Sequence, residues 1–159
     1  SKLMQLNMPD IKVPIIKNGV TTINTLINEF KNKKVILFGV PGAFTPTCSE
    51  KHLPSYIKLF GSFKNKKIDD IYCLSVNDEH VMKAWLLSYT ENQNIHGIAD
   101  GNAEITSYFN LLTDKSKNYM GTRSDRFAMI IVDNKVVSIN IEKPGELNTT
   151  SAQSMIEKI

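Results

Sequence analysis

The chain has 159 residues, of which 42% are apolar and 22% are charged, and it carries a formal net charge of +3. This length suits one domain over residues 1–159, and no apolar run approaches the roughly 20 residues that span a bilayer. The lysines are scattered, and the densest group, Lys64, Lys66 and Lys67, is expected to be a solvated loop, so we expect neither a nucleic acid nor a membrane as partner.

The first predicted elements lie in the N-terminal third. The segment KNGVTTI predicts a strand or hairpin around Val20 to Ile23, and Leu26, Ile27 and Phe30 are spaced for one face of a helix that follows. KVILFGV is a continuous apolar run rich in β-forming residues, which is typical of a strand covered on both faces.

A helix is predicted next, from Cys48 to Phe60. Pro54 is expected to interrupt and kink it, because proline removes one backbone hydrogen bond. IDDIYCLSV predicts a second buried strand. NDEHVMKAWLLSYT then predicts a helix that is capped near Asn77 or Asp78 and places Trp85 in the core.

The remaining elements complete an alternating pattern. IHGIAD predicts a third strand, and AEITSYFNLL predicts a short helix. RFAMIIVDNKVVSINIE is the clearest hairpin, with its turn at Asp133 and Asn134, and NTTSAQSMIEKI predicts a capped C-terminal helix. This order predicts an α/β thioredoxin-like fold, with a mixed central sheet flanked by helices and an N-terminal β extension.

Cys48 stands just after a buried strand, in the turn PGAFTPTCS. In the first turn of a helix, unpaired amide N–H groups and the helix dipole would favour the thiolate of this residue. The hydroxyl of Thr45 can fold back toward the sulfur, and Pro41 can shield one face of it from water. This pattern indicates a nucleophilic sulfur that attacks a group with an oxyanion as leaving group.

Arginine and cysteine are both rare in the chain. Of the 19 basic residues, 17 are lysine and two are arginine, Arg123 and Arg126, which lie together in GTRSDRF and could supply a planar, permanent charge to the site. There are only two cysteines, too few for a disulfide scaffold, so we expect a reducing compartment. Cys48 and His52 lack an evident third ligand, so we expect no metal.

The motif PxxxTxxC, present in PGAFTPTCS, is that of peroxiredoxins. In the form VPGAFTPTCSxxHLP, followed by CLSVND, VMxAW, ADGN and GTRSDRF, the chain resembles the peroxiredoxin-five, or plant type II, subfamily over most of its length. The resemblance implies a thiol peroxidase that reduces hydrogen peroxide and alkyl hydroperoxides without a cofactor.

The resemblance also implies roles for individual residues. Cys48 would be the peroxidatic thiolate, which becomes a sulfenic acid. Thr45 would hydrogen-bond the sulfur and the peroxide beside Pro41, and Arg126 would be the active-site arginine. Arg123 is expected to have a supporting or a surface role. His52 is expected either to support the hydrogen bonding of the site or to pack the helix.

Some relatives carry a resolving cysteine after the last hairpin, where this chain has Thr149 and Thr150. Cys73 lies inside a predicted strand and is expected to be a buried structural thiol. The resemblance therefore predicts a one-cysteine mechanism with glutathione and glutaredoxin as reductant. The alternative is thioredoxin, with Cys73 as a conditional resolving thiol. A homodimer is expected. The location would be the cytoplasm, or a mitochondrion or plastid if a targeting segment has been removed before Ser1.

Three rival functions fit the sequence less well. A thiol-disulfide oxidoreductase needs a second cysteine close behind the first, but Ser49, Glu50 and Lys51 follow Cys48. A cysteine-dependent phosphatase needs an arginine six residues after its nucleophile, where this chain has Pro54. A non-catalytic binding or chaperone-like module would not be expected to keep all four catalytic candidates, which are Pro41, Thr45, Cys48 and Arg126.

Overall fold

The computed structural model describes residues 6–91 and 94–159. Within these residues the strands are β1 Lys12–Lys17, β2 Val20–Thr25, β3 Lys34–Val40, β4 Asp70–Ser75, β5 Ile95–Ala99, β6 Leu112–Asp114, β7 Thr122–Ser124, β8 Phe127–Val132 and β9 Lys135–Ile141. The α-helices are α1 Leu26–Glu29, α2 Leu53–Asn65, α3 Glu79–Leu87, α4 Glu104–Tyr108 and α5 Ala152–Ile156. A π-helical turn, Cys48–His52, precedes α2, and a 3-10 turn, Ser116–Asn118, joins β6 to β7.

Seven strands form one mixed sheet in the order β2-β1-β5-β4-β3-β8-β9. The central strands β5, β4 and β3 are parallel, whereas β1 and β2 on one side and β8 and β9 on the other pair antiparallel. The predicted mixed sheet and its N-terminal β extension are confirmed. Strands β6 and β7 pair separately as a small antiparallel hairpin.

Helices cover both faces of the sheet. One core cluster joins the sheet to α2, α3 and α5 and includes both cysteines, whereas the other joins it to α1 and α4. The strand β3 is buried along nearly all its length, as its continuous apolar sequence predicts. Among the described residues, no helix is long and apolar enough to cross a bilayer.

Glycine is required near the end of β3. A Cβ atom at Gly39 would lie 2.0 Å from the Phe127 ring, which lies across the backbone of β3 at this point. Gly39 and Phe127 are register partners in the β3–β8 pair. The absence of a side chain at Gly39 therefore makes room for Phe127, which is the first residue of β8 and follows Arg126.

Several local expectations need correction. Ile27 is 40% exposed and does not share the buried face of Leu26 and Phe30. Pro54 does not interrupt an α-helix from within, because it occupies the first turn of α2, where its missing N–H costs little. The irregularity comes before it, as the π-helical turn.

Other expectations agree with the structure or need a smaller change. Asp78 caps α3 by accepting the N–H of Val81 at 2.9 Å. Asp133 and Asn134 form the hairpin turn with φ values of 44° and 67°. Of the three lysines predicted to form a solvated loop, Lys64 lies in the last turn of α2, whereas Lys66 and Lys67 lie in the exposed turn that follows it.

Candidate active site

Strand pairing brings distant segments of the chain to one edge of the sheet. Cys48 follows the carboxyl end of β3, whereas Arg126 immediately precedes β8, which runs antiparallel to β3. The residue before β8 therefore lies at the same edge as the residues after β3. Phe127 pairs with Gly39 on one side and with Ile141 on the other, so the end of β9 meets the same edge.

Cys48 begins the π-helical turn, and it is 1% exposed. The carbonyl oxygen of Thr45 accepts the N–H of Ser49 at 2.9 Å. The indole Nε1 of Trp85 donates to Ser49 Oγ at 3.0 Å, and the Tyr89 hydroxyl donates to the Ser49 carbonyl oxygen at 2.6 Å. Trp85 is buried in the core as expected, and it also holds the turn that carries the cysteine.

The guanidinium of Arg126 joins two side chains of this turn. Nη2 donates to Cys48 Sγ at 3.3 Å, and Nη1 donates to His52 Nδ1 at 2.9 Å. A planar guanidinium has donors on separate nitrogen atoms in a fixed geometry, so it can make both contacts at once. The guanidinium therefore places a permanent positive charge beside the Cys48 sulfur.

His52 is fully buried between Arg126 and the loop after β9. Because arginine can only donate, Nδ1 must be the acceptor, and the ring proton lies on Nε2. Nε2 donates to the carbonyl oxygen of Thr150 at 3.0 Å. Burial, together with the charge of Arg126, lowers the pKa of His52 to about 3, so the imidazole is neutral at physiological pH. The ring also packs against Phe38, and His52 therefore both supports the hydrogen bonding and packs the helix.

The structure gives the Thr45 hydroxyl a partner other than the sulfur that we expected. It donates to the carbonyl oxygen of Gly42 at 2.6 Å. Its one proton is therefore used within the turn, and its lone pairs are what it can offer to a substrate. The backbone N–H of Ala43 in the same turn donates to Asn77 Oδ1 at 3.0 Å, which ties the turn to the end of β4.

Arg123 lies in β7, on the small hairpin that the sequence did not predict. Its Nε donates to the Met120 carbonyl oxygen at 2.9 Å, and Nη1 makes a long contact of 3.5 Å with the Pro41 carbonyl oxygen. Both partners are backbone groups and neither is the sulfur. Arg123 therefore braces the hairpin against the Pro41 loop.

A cavity of about 300 Å³ opens beside the cysteine turn. Its walls come from the 41–47 loop, the β6–β7 hairpin, the residues before β8 and the loop after β9. The lining residues are Pro41, Thr45, Pro46, Thr47, Thr113, Lys115, Asn118, Met120, Ser124, Asp125, Arg126, Glu142, Lys143, Pro144, Gly145 and Glu146. The cavity therefore gathers Pro41, Thr45 and Arg126 around one space.

Cys73 lies in β4, and it packs in the same core cluster as Cys48. Its neighbours in the sheet are Phe38 of β3 and Gly97 of β5, and it is fully buried. Both cysteines are free thiols. Burial, followed by the nearby Cys48, raises the pKa of the Cys73 thiol, which therefore stays protonated and out of contact with solvent.

No pattern in the sequence indicates that Glu142 and Thr150 belong to the site. Glu142 is 8% exposed, and its backbone N–H donates to the Arg126 carbonyl oxygen at 2.9 Å. The Thr150 carbonyl oxygen accepts from His52 and, at 2.7 Å, from the Tyr56 hydroxyl. Glutamate and threonine near loops are usually exposed, so only the folded arrangement shows that both are buried parts of the site.

The chain is similar to known proteins over nearly its whole length. The redoxin family model matches residues 6–156, which include the whole site described above. Peroxiredoxin-2B of Arabidopsis thaliana is 47% identical over 127 residues, which cover 80% of this chain and 78% of that protein. Chloroplastic Peroxiredoxin-2E of the same plant is 42% identical over 130 residues, which cover 80% of this chain and 55% of that protein.

Solved structures share the fold. The reduced Prx3 of Vibrio vulnificus, in complex with hydrogen peroxide, superposes with a TM-score of 0.91 at 36% identity and covers 99% of this chain and 96% of its own. The antioxidant protein of Plasmodium falciparum, a 1-Cys peroxiredoxin, gives a TM-score of 0.89 at 34% identity and covers 99% of this chain and 98% of its own. These likenesses confirm the predicted thioredoxin-like fold class.

Proposed function

Because the chain belongs to the redoxin family and is a type II, peroxiredoxin-five-like peroxiredoxin, it is a thiol-dependent peroxidase, and we propose that Cys48 is its peroxidatic residue. The observation that carries this proposal is the contact of 3.3 Å between Arg126 Nη2 and Cys48 Sγ. A cation that donates to the sulfur prepares it as a nucleophile. Cys73 has the opposite environment, since burial keeps its thiol protonated.

The reaction is a two-electron oxidation of the Cys48 sulfur. The thiolate attacks one oxygen of the hydroperoxide, and an S–O bond forms while the O–O bond breaks. The electron pair of the broken bond leaves on the second oxygen, which takes up a proton to give an alcohol or water. The sulfur remains as a sulfenic acid. Arg126 stabilises the thiolate before the step and the developing charge on the leaving oxygen during it.

The other site residues bind and position. Thr45 has its proton engaged with Gly42, so its oxygen accepts the O–H of the hydroperoxide. Pro41 lines the cavity, and its proposed role is to limit the access of water to the sulfur. His52 holds the second arm of the Arg126 guanidinium. Arg123 maintains the loop that carries Pro41.

We propose a one-cysteine cycle. A thiol outside the protein attacks the sulfenic sulfur, which forms a mixed disulfide and releases water, and a second thiol then regenerates Cys48 by thiol–disulfide exchange. Two observations support this: Thr149 and Thr150 occupy the region where some relatives carry a resolving cysteine, and Cys73 is fully buried in a central strand. Glutathione with glutaredoxin is the proposed reductant, and thioredoxin is the alternative.

We also propose that the protein forms a homodimer and that it works in a reducing compartment. Phe44 and Tyr119 project from two loops beside the cavity and are 56% and 99% exposed. Large apolar side chains in such positions favour burial against a second copy of the chain. Two free cysteines suit a reducing environment. The proposed location is the cytoplasm, or a mitochondrion or plastid if a targeting segment has been removed before Ser1.

The test is to follow both cysteines through one catalytic cycle. Reduced protein is mixed with one equivalent of hydroperoxide and then with glutathione, and intact mass and peptide mapping identify each modified residue. The proposal expects one added oxygen on Cys48, followed by a mixed disulfide with glutathione at the same residue. Cys48→Ser is the control for the site of oxidation, and Cys73→Ser is the control for resolution.

The outcomes separate the alternatives. A disulfide between Cys48 and Cys73 would replace the one-cysteine cycle with resolution by Cys73 and would favour thioredoxin as reductant. Oxidation of Cys48 no faster than that of an ordinary thiol such as free cysteine would contradict its assignment as the peroxidatic residue.

A further inference from the structure

The side chain of Glu142 holds a turn of the backbone together without a cationic partner. Its Oε2 accepts the backbone N–H groups of Asn148, Thr149 and Thr150 at 2.7, 2.8 and 2.9 Å, and the Thr150 hydroxyl at 2.8 Å. Among residues 6–91 and 94–159, no lysine or arginine forms an ion pair with this carboxylate. Burial alone would raise the pKa of Glu142, but these hydrogen bonds outweigh it and hold the pKa below its ordinary value.

The closed turn directs one carbonyl group into the core. The Thr150 carbonyl oxygen accepts from His52 Nε2 at 3.0 Å and from the Tyr56 hydroxyl at 2.7 Å. Tyr56 is itself fixed, because its ring stacks on Phe38 with centroids 4.1 Å apart. The Thr150 carbonyl is therefore a fixed acceptor at the base of the site.

This acceptor favours the His52 tautomer that the contact with Arg126 also requires. An imidazole that donates from Nε2 must accept at Nδ1, and Nδ1 is the atom that faces Arg126. The other tautomer would place an N–H of His52 against an N–H of the guanidinium. The tautomer that Thr150 favours is thus the one that can hold Arg126 beside Cys48.

We propose that Glu142 is a positioning residue for catalysis, which acts on Arg126 through the 148–150 turn and the tautomer of His52. This inference rests on the proposed roles of Cys48 and Arg126. Glu142→Gln leaves in place the backbone hydrogen bond from Glu142 to the Arg126 carbonyl oxygen. In the described structure, no hydrogen bond or ion pair joins the Glu142 carboxylate to the Arg126 guanidinium, so we assign the effect of the carboxylate to the turn. The 148–150 turn, where some relatives carry a resolving cysteine, then has a different role in this chain, which is to present a backbone acceptor to the site.

Glu142→Gln tests the proposal. A glutamine amide has a single oxygen as acceptor, and its NH₂ group would face the N–H donors of the turn. The control is Glu29→Gln. Glu29 is 6% exposed and accepts from Tyr72, Asn24 and Lys17, but it packs with the core cluster on the opposite face of the sheet from Cys48. Both substitutions remove a buried carboxylate, and only one of them is connected to the site.

Two readouts are needed, and the first does not depend on activity. The ¹⁵N shifts of the His52 ring report the tautomer directly: the wild type and Glu29→Gln should show a protonated Nε2 only, whereas Glu142→Gln should show a mixture. The second readout is kcat/KM for hydroperoxide, which we expect to fall about 10- to 100-fold in Glu142→Gln because Arg126 is misplaced. Glu29→Gln should lose stability without this fall.

A double substitution shows whether the effect passes through His52. With His52→Gln already present, Glu142→Gln should cause little further loss of kcat/KM, because the connection is already broken. If Glu142→Gln folds poorly, Thr150→Val provides a milder form, since it removes only the hydroxyl donor to Oε2 and should shift tautomer and kcat/KM in the same direction.

A single protonated Nε2 and wild-type kcat/KM in Glu142→Gln would overturn the proposal and leave Glu142 as a stabiliser of the turn. Full additivity with His52→Gln would also overturn it. Failure of the proposed function can be distinguished from failure of this inference. If the proposed function is wrong, hydroperoxide will not oxidise Cys48 rapidly even in the wild type.

Discussion

Nη1 of Arg126 lies 2.9 Å from Nδ1 of His52, and this contact can exist only while the imidazole is neutral. The other arm of the same guanidinium reaches Cys48 Sγ. The buried histidine is therefore neither the base nor the nucleophile of the site. It is the acceptor that orients the cation beside the sulfur.

Replacement of Arg126 by lysine should reduce kcat/KM for hydroperoxide by about 100-fold. Lysine keeps the charge, but a single ammonium cannot hold His52 and the sulfur in the same fixed geometry. Stopped-flow measurement of peroxide consumption checks this. Arg123→Lys is the matched control, and its effect should be well below tenfold, because the hydrogen bonds of Arg123 within the described residues go to backbone carbonyl groups and not to the sulfur. Equal losses in both variants would contradict the assignment of Arg126.

His52 should make the free energy of unfolding depend on pH. Burial, and then Arg126, hold the folded-state pKa at about 3, whereas the unfolded chain has the ordinary value of about 6.5. As the pH falls below about 6.5, the unfolded state binds a proton that the folded state does not. The free energy of unfolding should therefore decrease, by up to about 1.4 kcal/mol per pH unit.

Urea unfolding between about pH 6.5 and pH 5 measures this slope before the carboxylates begin to titrate. In His52→Gln the slope should be smaller, because the unfolded chain then takes up close to one proton fewer than the unfolded wild type. If the pH dependence of the free energy of unfolding is the same in His52→Gln as in the wild type, His52 is not a neutral, buried imidazole in the folded protein. NMR gives an independent check, since the folded His52 ring should not titrate in this range.

Cys73→Ser should retain turnover with glutathione, whereas Cys48→Ser should abolish it. Cys73 is buried in a central strand, so serine there costs about 1–3 kcal/mol of stability but removes no reacting group. Coupled peroxidase assays measure the turnover. Cys73→Ala, which introduces no polar atom, separates a folding defect from a chemical one. Loss of turnover in a well-folded Cys73→Ala protein would show that Cys73 resolves the sulfenic acid.

Phe44→Glu should weaken the proposed homodimer. Phe44 has a φ of 63° and is 56% exposed on the loop between β3 and Cys48, so a second copy of the chain would have to desolvate the new charge. Sedimentation velocity of the reduced protein measures the change. Leu87→Glu is a suitable control, because Leu87 is 57% exposed at the end of α3. A monomeric wild type, or equal dissociation in both variants, would count against an interface at Phe44.

Local patterns were sufficient for much of the fold. Continuous apolar runs predicted β3 and β4, and the Asp133–Asn134 pair predicted the β8–β9 turn, because each signal lies within a few consecutive residues. The β6–β7 hairpin was missed because its two strands, LTD and TRS, are short and polar and show no alternation. The π-helical turn was missed because no residue pattern distinguishes it from the start of an α-helix.

One continuous motif, which holds Pro41, Thr45 and Cys48, was enough to predict a nucleophilic cysteine and its neighbours, because the chemistry of adjacent residues can be inferred without a fold. Tertiary structure decided the rest. The resemblance singled out Arg126 but not its contacts: the register of β8 against β3 brings its guanidinium to the sulfur, and a carbonyl group 98 positions away accepts from Nε2 of His52. Hydrogen bonds depend on distance and direction to within fractions of an ångström, and between segments this far apart only the packed sheet determines either.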